Sequence, residues 1–305
     1  MTSSHLGVQE LNSRYGIEGK VHFAAGKGGL VSVLVKNRYA SACIFLQGAH
    51  VTHFQPEGQQ PVLWLSNRSA YQEGKAIRGG IPLCWPWFGD HPDDPTKPAH
   101  GFVRTSLWEV LETWETADGV TLVRLRLEDD EASRRIWPNS FQLELRVLVG
   151  RSLVVALVAR NTGKTPFPCG GALHSYFLVG AVESIEIFGL DGCDYLDKID
   201  HFSRGRQGGT VRLAGETDRI YVNTADVCTI KDPVLSRYVT VAKKGSNSTV
   251  IWNPGPRKSA TMPDMDRNGY RQMVCVETAN AADDTILLPP GGMHILQAEI
   301  SPYPK

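Results

Sequence analysis

Long hydrophobic runs are missing from this chain of 305 residues. No segment approaches the roughly 18 consecutive apolar residues that a membrane-spanning helix needs. The first residues, MTSSHLGVQELNSRYG, also lack the apolar core of a secretory signal peptide. We therefore expect no membrane partner and predict a soluble, cytoplasmic protein.

An excess of either charge is missing as well. Lysine and arginine together number 32, aspartate and glutamate also number 32, and the formal net charge is +0 at pH 7. No basic block stands out along the chain of the kind that neutralises nucleic-acid phosphates. The charge balance therefore predicts no nucleic-acid partner.

The spacing of cysteines that marks metal sites and redox motifs is absent too. No CxxC occurs, and most of the cysteines lie among apolar neighbours, as in PLCW and MVCVE. This pattern is typical of free, buried thiols in a reducing compartment rather than of a disulfide framework or a zinc site. The chain has 6 cysteines, at positions 43, 84, 169, 193, 228 and 275.

Helical periodicity is scarce, and short runs of strand length are plentiful. The 30 glycines and 18 prolines are too many for a helical protein, and a turn or two within 263–271, started by Pro263 and Asp264, is the best helix candidate. A hairpin is predicted over 141–149 and 152–160, with Gly150 and Arg151 as a two-residue turn. The runs predicted as strands are 30–36, 39–46, 50–55, 62–65, 106–115, 120–128, 141–149, 152–160, 184–189, 219–222, 227–230, 237–244, 248–253, 272–277, 285–289 and 294–300.

So many strands with short links predict an all-β protein, a large antiparallel β-sandwich or supersandwich with very little helix. No composition break or linker divides the chain, so residues 1–305 are predicted to form one domain, with 1–18 as a peripheral N-terminal segment. No repeat of fixed period is visible, which argues against a propeller.

One stretch, RGGIPLCWPWFGDHPDDPTKPAHGFVR at 78–104, is too irregular for a helix or a continuous strand. Its glycines and prolines predict a shaped loop, and shaped loops commonly carry function. The aromatic residues Trp85, Trp87 and Phe88 suit either a buried plug or the apolar side of a bound sugar ring. Arg78 at the start and Arg104 at the end are candidate cations of a site.

Titratable residues interrupt strand-like runs at three further places. His174 follows a glycine pair in CGGALHSYF, Asp218 lies at a strand entrance in ETDRIY, and Glu277 ends the apolar run MVCVE. Each has a structural alternative: a satisfied core histidine, a turn-capping aspartate and an exposed strand-end glutamate. Taken singly, none of these positions indicates catalysis.

Taken in order, these motifs resemble a known family. The segments GAHVTHFQP, VLWLS, AIRGGIPLCWPWFG, AHGFVR, LHSYF, YLDK, ETDRIY, WNP and MVCVE span nearly the whole chain. They resemble the glucose-6-phosphate 1-epimerase (hexose-6-phosphate mutarotase) branch of the aldose 1-epimerase family. RGGIPxCWPWFG followed by HGFxR is a specific signature. WNP is followed here by Gly255 and Pro256 instead of another aromatic residue, so the loop 254–268 is expected to differ in shape and substrate contacts.

The resemblance implies a galactose mutarotase-like supersandwich, an isomerase that needs no metal and no organic cofactor, and a small phosphosugar as substrate. It implies that Glu277 is the general base at the anomeric hydroxyl and that His174 is the general acid at the ring oxygen. His100 would help to hold and polarise that oxygen, and Asp218 would bind a sugar hydroxyl. Arg78 and Arg104 would be the cations of the substrate site. We expect the enzyme to be a monomer.

The chemistry of anomer exchange fits these residue types. One group must take a proton from O1 while another gives one to O5. A glutamate with a pKa of about 4.3 is ionised at neutral pH, and a histidine near 6.5 can be tuned by a neighbouring charge to carry the proton. Two arginines suit a phosphate because guanidinium donates paired, charge-assisted hydrogen bonds. It stays open that one arginine pairs with Asp90, Asp93 or Asp94 of its own loop.

Three alternatives remain at this point. The enzyme could be a mutarotase of free aldoses. A metal hydrolase is a second alternative, but no HxH or HExxH spacing occurs, and His50 and His53 would point to opposite faces of a strand. The third is a non-catalytic carbohydrate-binding β-sandwich, with Trp85 and Trp87 as a stacking platform.

Overall fold

A computed structural model describes residues 6–225 and 227–304. Residues 1–5 of the predicted peripheral segment 1–18 therefore lie outside the described part. The rest of that segment contains helix α1 (Val8–Tyr15), whose Leu11 is buried in the main apolar cluster. The Asn12 side chain also donates to the Phe23 carbonyl oxygen at 2.7 Å and accepts from its amide at 2.9 Å. The helix is thus tied to the first strand.

Strands dominate the described residues, as the sequence predicts. In chain order they are β1 Val21–Ala25, β2 Val31–Lys36, β3 Ala40–Phe45, β4 His50–Pro56, β5 Leu83–Cys84, β6 Glu109–Glu115, β7 Thr121–Glu128, β8 Phe141–Val149, β9 Leu153–Asn161, β10 Phe167–Cys169, β11 Gly171–Leu173, β12 Tyr176–Leu178, β13 Glu186–Phe188, β14 Asp194–Asp197, β15 Ser203–Arg206, β16 Thr217–Val222, β17 Cys228–Asp232, β18 Arg237–Lys244, β19 Ser248–Asn253, β20 Met273–Asn280, β21 Ile286–Leu288 and β22 Met293–Pro304.

Four antiparallel sheets are formed from these strands. One eight-stranded sheet has the order β13-β17-β18-β22-β9-β8-β7-β6, and a four-stranded sheet has the order β1-β2-β3-β4. The second eight-stranded sheet runs β15-β14-β16-β19-β20-β11-β5, with β12 also paired to β20, and β10 pairs with β21. Because β20 and β11 contact β22, the two large sheets pack against each other, and the predicted antiparallel supersandwich is confirmed.

The pattern of burial distinguishes the two large sheets. Strand β8 alternates buried and half-buried residues, which is what one core-facing and one solvent-facing side require. Strands β19 and β20 are instead buried at every position. One of their faces contributes Ile251, Val274 and Val276 to the main cluster. The other face carries a second, smaller cluster that includes Trp252 and Cys275. Loops must therefore cover this second face.

Helices are few, and their positions differ from the prediction. Besides α1, the structure has α2 (Glu131–Ile136) and α3 (Gly255–Thr261), with a 3₁₀ turn at Gly269–Gln272. The helix predicted within 263–271 is therefore wrong in place, because Pro263 follows the end of α3 instead of starting a helix. In α3, Pro256 stands in the first turn, where its missing amide costs no hydrogen bond. None of the described helices is long and apolar enough to cross a membrane.

Two predicted strand features also need correction. The run 62–65 makes only isolated bridges, from Leu63 to Phe177 and from Leu65 to Gly79. The hairpin of β8 and β9 is confirmed, but Val149 pairs with Leu153, so its turn contains three residues instead of two. The main apolar cluster reaches from Leu11 to Ile300, and the single domain stays a prediction.

Candidate active site

Strand β20 supplies the centre of the candidate site. Glu277 and Cys275 are two residues apart on this strand, so both point to the face of the smaller cluster. The register with β19 pairs Glu277 with Val250 and Cys275 with Trp252, and β16 continues the row by pairing Asp218 with Trp252. Asp218 and Glu277 therefore lie on the same face of the sheet.

His174 reaches the same face from the gap between two strands. Leu173 of β11 pairs with Thr278, and Tyr176 of β12 pairs with Cys275, so the same antiparallel register places His174 opposite Glu277. The imidazole stacks on the Tyr176 ring with the centroids 4.8 Å apart and the planes inclined by 9°. This stacking fixes the ring beside the carboxyl group.

The His174–Glu277 pair is buried and incompletely hydrogen-bonded. His174 Nδ1 lies 3.3 Å from Glu277 Oε1, and Glu277 is only 1% exposed. The two atoms are close enough for an ion pair but are not aligned for a hydrogen bond, and Nδ1, Oε1 and Oε2 have no hydrogen-bond partner among the described residues. Burying such atoms without partners costs about 1–3 kcal/mol each. An arrangement of this kind is ready for a polar ligand.

Burial opposes charge on both members of the pair. It raises the pKa of Glu277 well above the ordinary value, with Asp218 adding to the rise and Lys198 opposing it. Burial also lowers the pKa of His174 well below 6.5, and the positive groups Arg78 and Arg104 lower it further. The expectation that the glutamate is ionised and the histidine protonated at neutral pH is therefore wrong for the side chains as they stand. Both shifts favour the uncharged pair, with its proton on Glu277.

His100 lies beside His174, with the ring centroids 5.6 Å apart. Its backbone has φ 66°, an unusual value for a residue with a Cβ, and the Gly89 amide donates to its Nδ1 at 3.2 Å. Burial, followed by Arg104, lowers the pKa of His100 to about 3. The ring is therefore neutral at pH 7, and because Nδ1 accepts a hydrogen bond, its proton is on Nε2. His100 is thus a fixed neutral donor.

Arg78 comes directly before the glycine pair Gly79 and Gly80 at the start of the 78–104 loop. A Cβ on Gly79 would lie 2.5 Å from the Trp64 carbonyl oxygen, so only glycine permits this close approach. The Arg78 side chain donates to the Tyr176 hydroxyl at 2.9 Å and forms an ion pair with Asp264 at 3.0 Å. Its acidic partner is thus in the 254–268 loop and not among the aspartates of its own loop.

Arg104 is held within the 78–104 loop. Its Nη2 donates to the Ala99 carbonyl oxygen at 2.7 Å. Its charge reaches the pocket, because it lowers the pKa values of both His100 and His174. Arg104 has no carboxylate partner among the ion pairs of the described residues.

Lys198 is a functional candidate that the sequence reasoning did not select. Its ammonium lies 3.4 Å from Asp218 and 5.5 Å from the centre of the Phe88 ring. Burial raises the pKa of Asp218, and Lys198 opposes that rise. The only sequence signal was the position of Lys198 at the end of the YLDK motif.

The tryptophans of the 78–104 loop serve the core and not the site. Trp85 is 3% exposed and packs edge-on against Trp137 and Phe141. Trp87 is 7% exposed, and its indole donates to the Pro98 carbonyl oxygen. The stacking platform proposed for a carbohydrate-binding module is therefore wrong. Phe88 is the aromatic residue of this loop that approaches the site, with its ring centroid 5.0 Å from that of His100.

Histidines 50 and 53 do not form a metal pair. His50 Nε2 donates to the Gly79 carbonyl oxygen at 2.7 Å, while the His53 ring contacts the Ser41 hydroxyl at 3.3 Å. Within the described residues, the group with suitable metal-ligand atoms is His174, Cys275 and Glu277, whose donor atoms all lie within 4.8 Å of one another.

This fold is shared with proteins described as aldose 1-epimerases and mutarotases. A family model described as aldose 1-epimerase matches residues 31–300, and the chain belongs to this family. An Escherichia coli K12 protein with the provisional name glucose-6-phosphate 1-epimerase is 36% identical over 267 residues, which are 87% of this chain and 88% of that protein. The chain is accordingly an epimerase of the isomerase class.

Solved structures agree with this assignment. A crystal structure of a provisional mutarotase from Salmonella typhimurium aligns with a TM-score of 0.89 at 32% identity and covers 95% of this chain and 96% of its own. A galactose mutarotase-like protein from Clostridium acetobutylicum has a TM-score of 0.71 at 13% identity, over 93% and 98% of the two chains. The second likeness shows the fold alone.

Proposed function

We propose that the protein interconverts the α and β anomers of hexose 6-phosphates, chiefly glucose 6-phosphate, with Glu277 as base and His174 as acid. The observation that carries this proposal is the buried His174–Glu277 pair, whose facing polar atoms lack partners among the described residues in a pocket surrounded by cations. In this proposal Asp218 binds a sugar hydroxyl, His100 donates to the ring oxygen, and no metal or organic cofactor takes part.

The reaction needs a proton to leave one end of a hemiacetal and another to arrive at the other end. Glu277 takes the proton of the O1 hydroxyl, His174 gives a proton to O5, and the C1–O5 bond breaks to give the open aldehyde. Rotation about C1–C2 and the reverse transfers close the ring as the other anomer. The enzyme ends with the same protons that it began with.

The pair needs only one proton between its two members for this cycle. In the uncharged pair the proton is on Glu277, and in the working pair it is on His174. The number of protons and the net charge are the same in both states. His174 Nδ1 and Glu277 Oε1 are 3.3 Å apart, so once the two groups align, the proton can move between them without exchange with solvent. The lowered pKa of His174 makes its protonated form a strong acid toward O5.

Phosphate recognition is assigned to Arg78 and Arg104, with Lys198 as a third cation at the pocket. Guanidinium groups match the geometry and the charge of phosphate oxygens. One observation favours the second candidate, a mutarotase of free aldoses. The Arg78 charge is already matched by Asp264, so this residue has less free charge to offer a phosphate than its position suggests.

The two candidates differ in what the arginines do. We expect Arg78→Ala and Arg104→Ala to slow α/β exchange of glucose 6-phosphate, and at least one of them to affect free glucose much less. The exchange rates can be measured by NMR with both sugars. Arg219→Ala is a matched control, because Arg219 follows Asp218 on β16, points to the other face and pairs with Asp197.

The outcomes of this test are distinct. Equal losses on both sugars would remove phosphate recognition and favour the free-aldose mutarotase. The absence of acceleration with either sugar in the unaltered protein would overturn the proposed activity.

A further inference from the structure

Three side chains of the site together offer a set of metal-ligand atoms. The proposed acid–base chemistry uses two of these side chains and does not use the set as a whole. His174, Cys275 and Glu277 each offer one ligand atom, and these atoms lie within 4.8 Å of one another. Cys275 and Glu277 are on one face of β20, and the register places His174 opposite Glu277. The sheet itself therefore holds the three side chains together.

A second observation points to a ligand at this group. Nδ1 of His174 and both carboxyl oxygens of Glu277 are buried, and they have no hydrogen-bond partner among the described residues. A bound cation would supply the missing interaction for these atoms once Glu277 has lost its proton. His174 is 7% exposed and Glu277 is 1% exposed, so bulk water has little access to replace their missing hydrogen bonds.

The geometry suits a small tetrahedral ion. Ligand atoms at about 2.0–2.2 Å (nitrogen and oxygen) or about 2.3 Å (sulfur) from a tetrahedral zinc lie about 3.3–3.7 Å apart. The 3.3 Å between His174 Nδ1 and Glu277 Oε1 already meets this spacing. The donor atoms, which lie within 4.8 Å of one another, must approach by up to roughly 1 Å to reach this spacing.

The chemistry of the donors selects the ion. One imidazole nitrogen, one sulfur and one carboxyl oxygen match the borderline-soft Zn²⁺ better than Mg²⁺ or Ca²⁺, which prefer oxygen alone. Three protein ligands would leave the fourth position of the ion open.

We propose that His174, Cys275 and Glu277 form a binding site for Zn²⁺ and that the bound ion inhibits the enzyme by occupying its acid and base. Binding releases the thiol proton of Cys275 and the carboxyl proton of Glu277 to solvent as the two metal bonds form. Arg78, Arg104 and Lys198 surround the pocket, so their charge makes the site weaker than a structural zinc site. The inhibition rests on the proposed function, whereas the binding does not.

Binding is tested with Zn²⁺ alone on the full chain after removal of metals by a chelator. Isothermal titration calorimetry should give one site per chain, and Co²⁺ in its place should give a thiolate-to-cobalt charge-transfer band. Cys275→Ser should weaken Zn²⁺ binding at least tenfold and abolish the band. Cys169→Ser is the matched control, because Cys169 is also buried but lies in the main cluster, and it should change neither result.

Further variants and the rate separate binding from inhibition. Glu277→Gln and His174→Gln should also weaken Zn²⁺ binding, which keeps the test decisive if Cys275→Ser does not fold. In the unaltered protein, Zn²⁺ should slow anomer exchange and a chelator should restore it, while in Cys275→Ser the same Zn²⁺ concentration should slow exchange at least tenfold less, measured against the metal-free rate of that variant.

Several outcomes would overturn the proposal. One is the absence of Zn²⁺ binding at about 100 µM, a concentration that would fill a site with a lower dissociation constant. Another is an equal affinity for Zn²⁺ in Cys275→Ser and Cys169→Ser. Binding without any slowing of exchange would overturn the inhibition alone. If the unaltered protein has no exchange activity, the proposed function fails while calorimetry still decides the metal site.

Discussion

Glu277 has an environment that few glutamates occupy. It is placed in the interior of β20, a strand buried at every position, and its carboxyl group has no hydrogen-bond partner among the described residues. A carboxyl group in such a place destabilises the fold unless it remains protonated. Side chains that reduce stability in this way are commonly found at functional sites.

Replacing Glu277 by glutamine should separate activity from stability. Glu277→Gln should slow anomer exchange by about 10²–10⁴-fold, the usual contribution of a general base. The folded-state pKa of Glu277 is raised, so the stability that its protonated form contributes is lost as the pH rises above the ordinary value of about 4.5. The variant should therefore melt at a higher temperature than the parent at pH 7.

The higher melting temperature expected for Glu277→Gln can be controlled by repeating the measurement at low pH. At pH 4, below the ordinary pKa of glutamate, the folded and unfolded states both hold the proton, so the two proteins should melt at similar temperatures. Near-normal exchange in the glutamine variant would remove Glu277 as the base. A lower melting temperature at pH 7 would contradict the physical account of its burial.

Elements differ in how well the sequence predicts them. Strands β8, β18 and β19 were predicted with the bounds that the structure has, because each is long enough for a clear pattern of apolar residues. The short strands β5, β11 and β12 were not predicted, since two or three residues carry no periodicity. Yet β11 and β12 are the strands that place His174, so the least predictable elements contribute most to the site.

The site itself was predictable only in part. The residues His100, His174 and Glu277 were selected through the family resemblance of their motifs, and the structure places them beside one another. The ion pair of Arg78 with Asp264 was not predictable, because the two residues are 186 positions apart. The pKa directions were also missed, since burial depends on what covers the second face of the sheet.

The loop around His100 depends on a glycine that tolerates no side chain. A Cβ on Gly101 would lie 1.9 Å from the Trp85 carbonyl oxygen, at φ +71°. Gly101→Ala should therefore displace the loop, lower the melting temperature and strongly reduce anomer exchange. Gly89→Ala is a matched control, because Gly89 has φ +77° and a Cβ added there would meet no described atom within 4 Å.

The control should cost only the roughly 1–2 kcal/mol that a left-handed backbone imposes on alanine. Denaturant unfolding and exchange rates of the two variants provide the comparison. If both variants lose the same stability, the close approach at Gly101 is not what shapes the loop.

At the scale of the whole molecule, several buried histidines make the fold sensitive to acid. Burial is the main cause that lowers the pKa of His50 to about 4 and that of His100 to about 3. In the unfolded chain these groups take up protons near pH 6.5. Stability is therefore full above pH 6.5 and falls as the pH drops toward the folded-state values.

His50 gives a specific measure of this effect. Arg104 is the one charged side chain among the causes of the His50 pKa shift. Its positive charge favours the neutral imidazole, as burial does. The change from 6.5 to about 4 corresponds to about 3 kcal/mol of stability lost on acidification, at roughly 1.4 kcal/mol per pH unit. His50→Gln, which keeps a donor for the Gly79 carbonyl, should lose less stability between pH 7 and pH 4 by about this amount.

Urea unfolding at the two pH values measures the difference. His22→Gln is the control, because His22 is exposed on β1 and should leave the pH dependence unchanged. An unchanged pH dependence in His50→Gln would show that this histidine does not contribute to acid lability.

Arg78 and the imidazole of His174 are joined through one phenol ring. The guanidinium holds the Tyr176 hydroxyl, and the flat side of the same tyrosine lies against His174. A substrate that draws Arg78 toward itself therefore also shifts the surface on which the imidazole rests. In the proposed mechanism, capture of the distant end of the sugar by Arg78 and protonation of its ring by His174 are mechanically linked, and a sugar without a group for Arg78 would not engage that link.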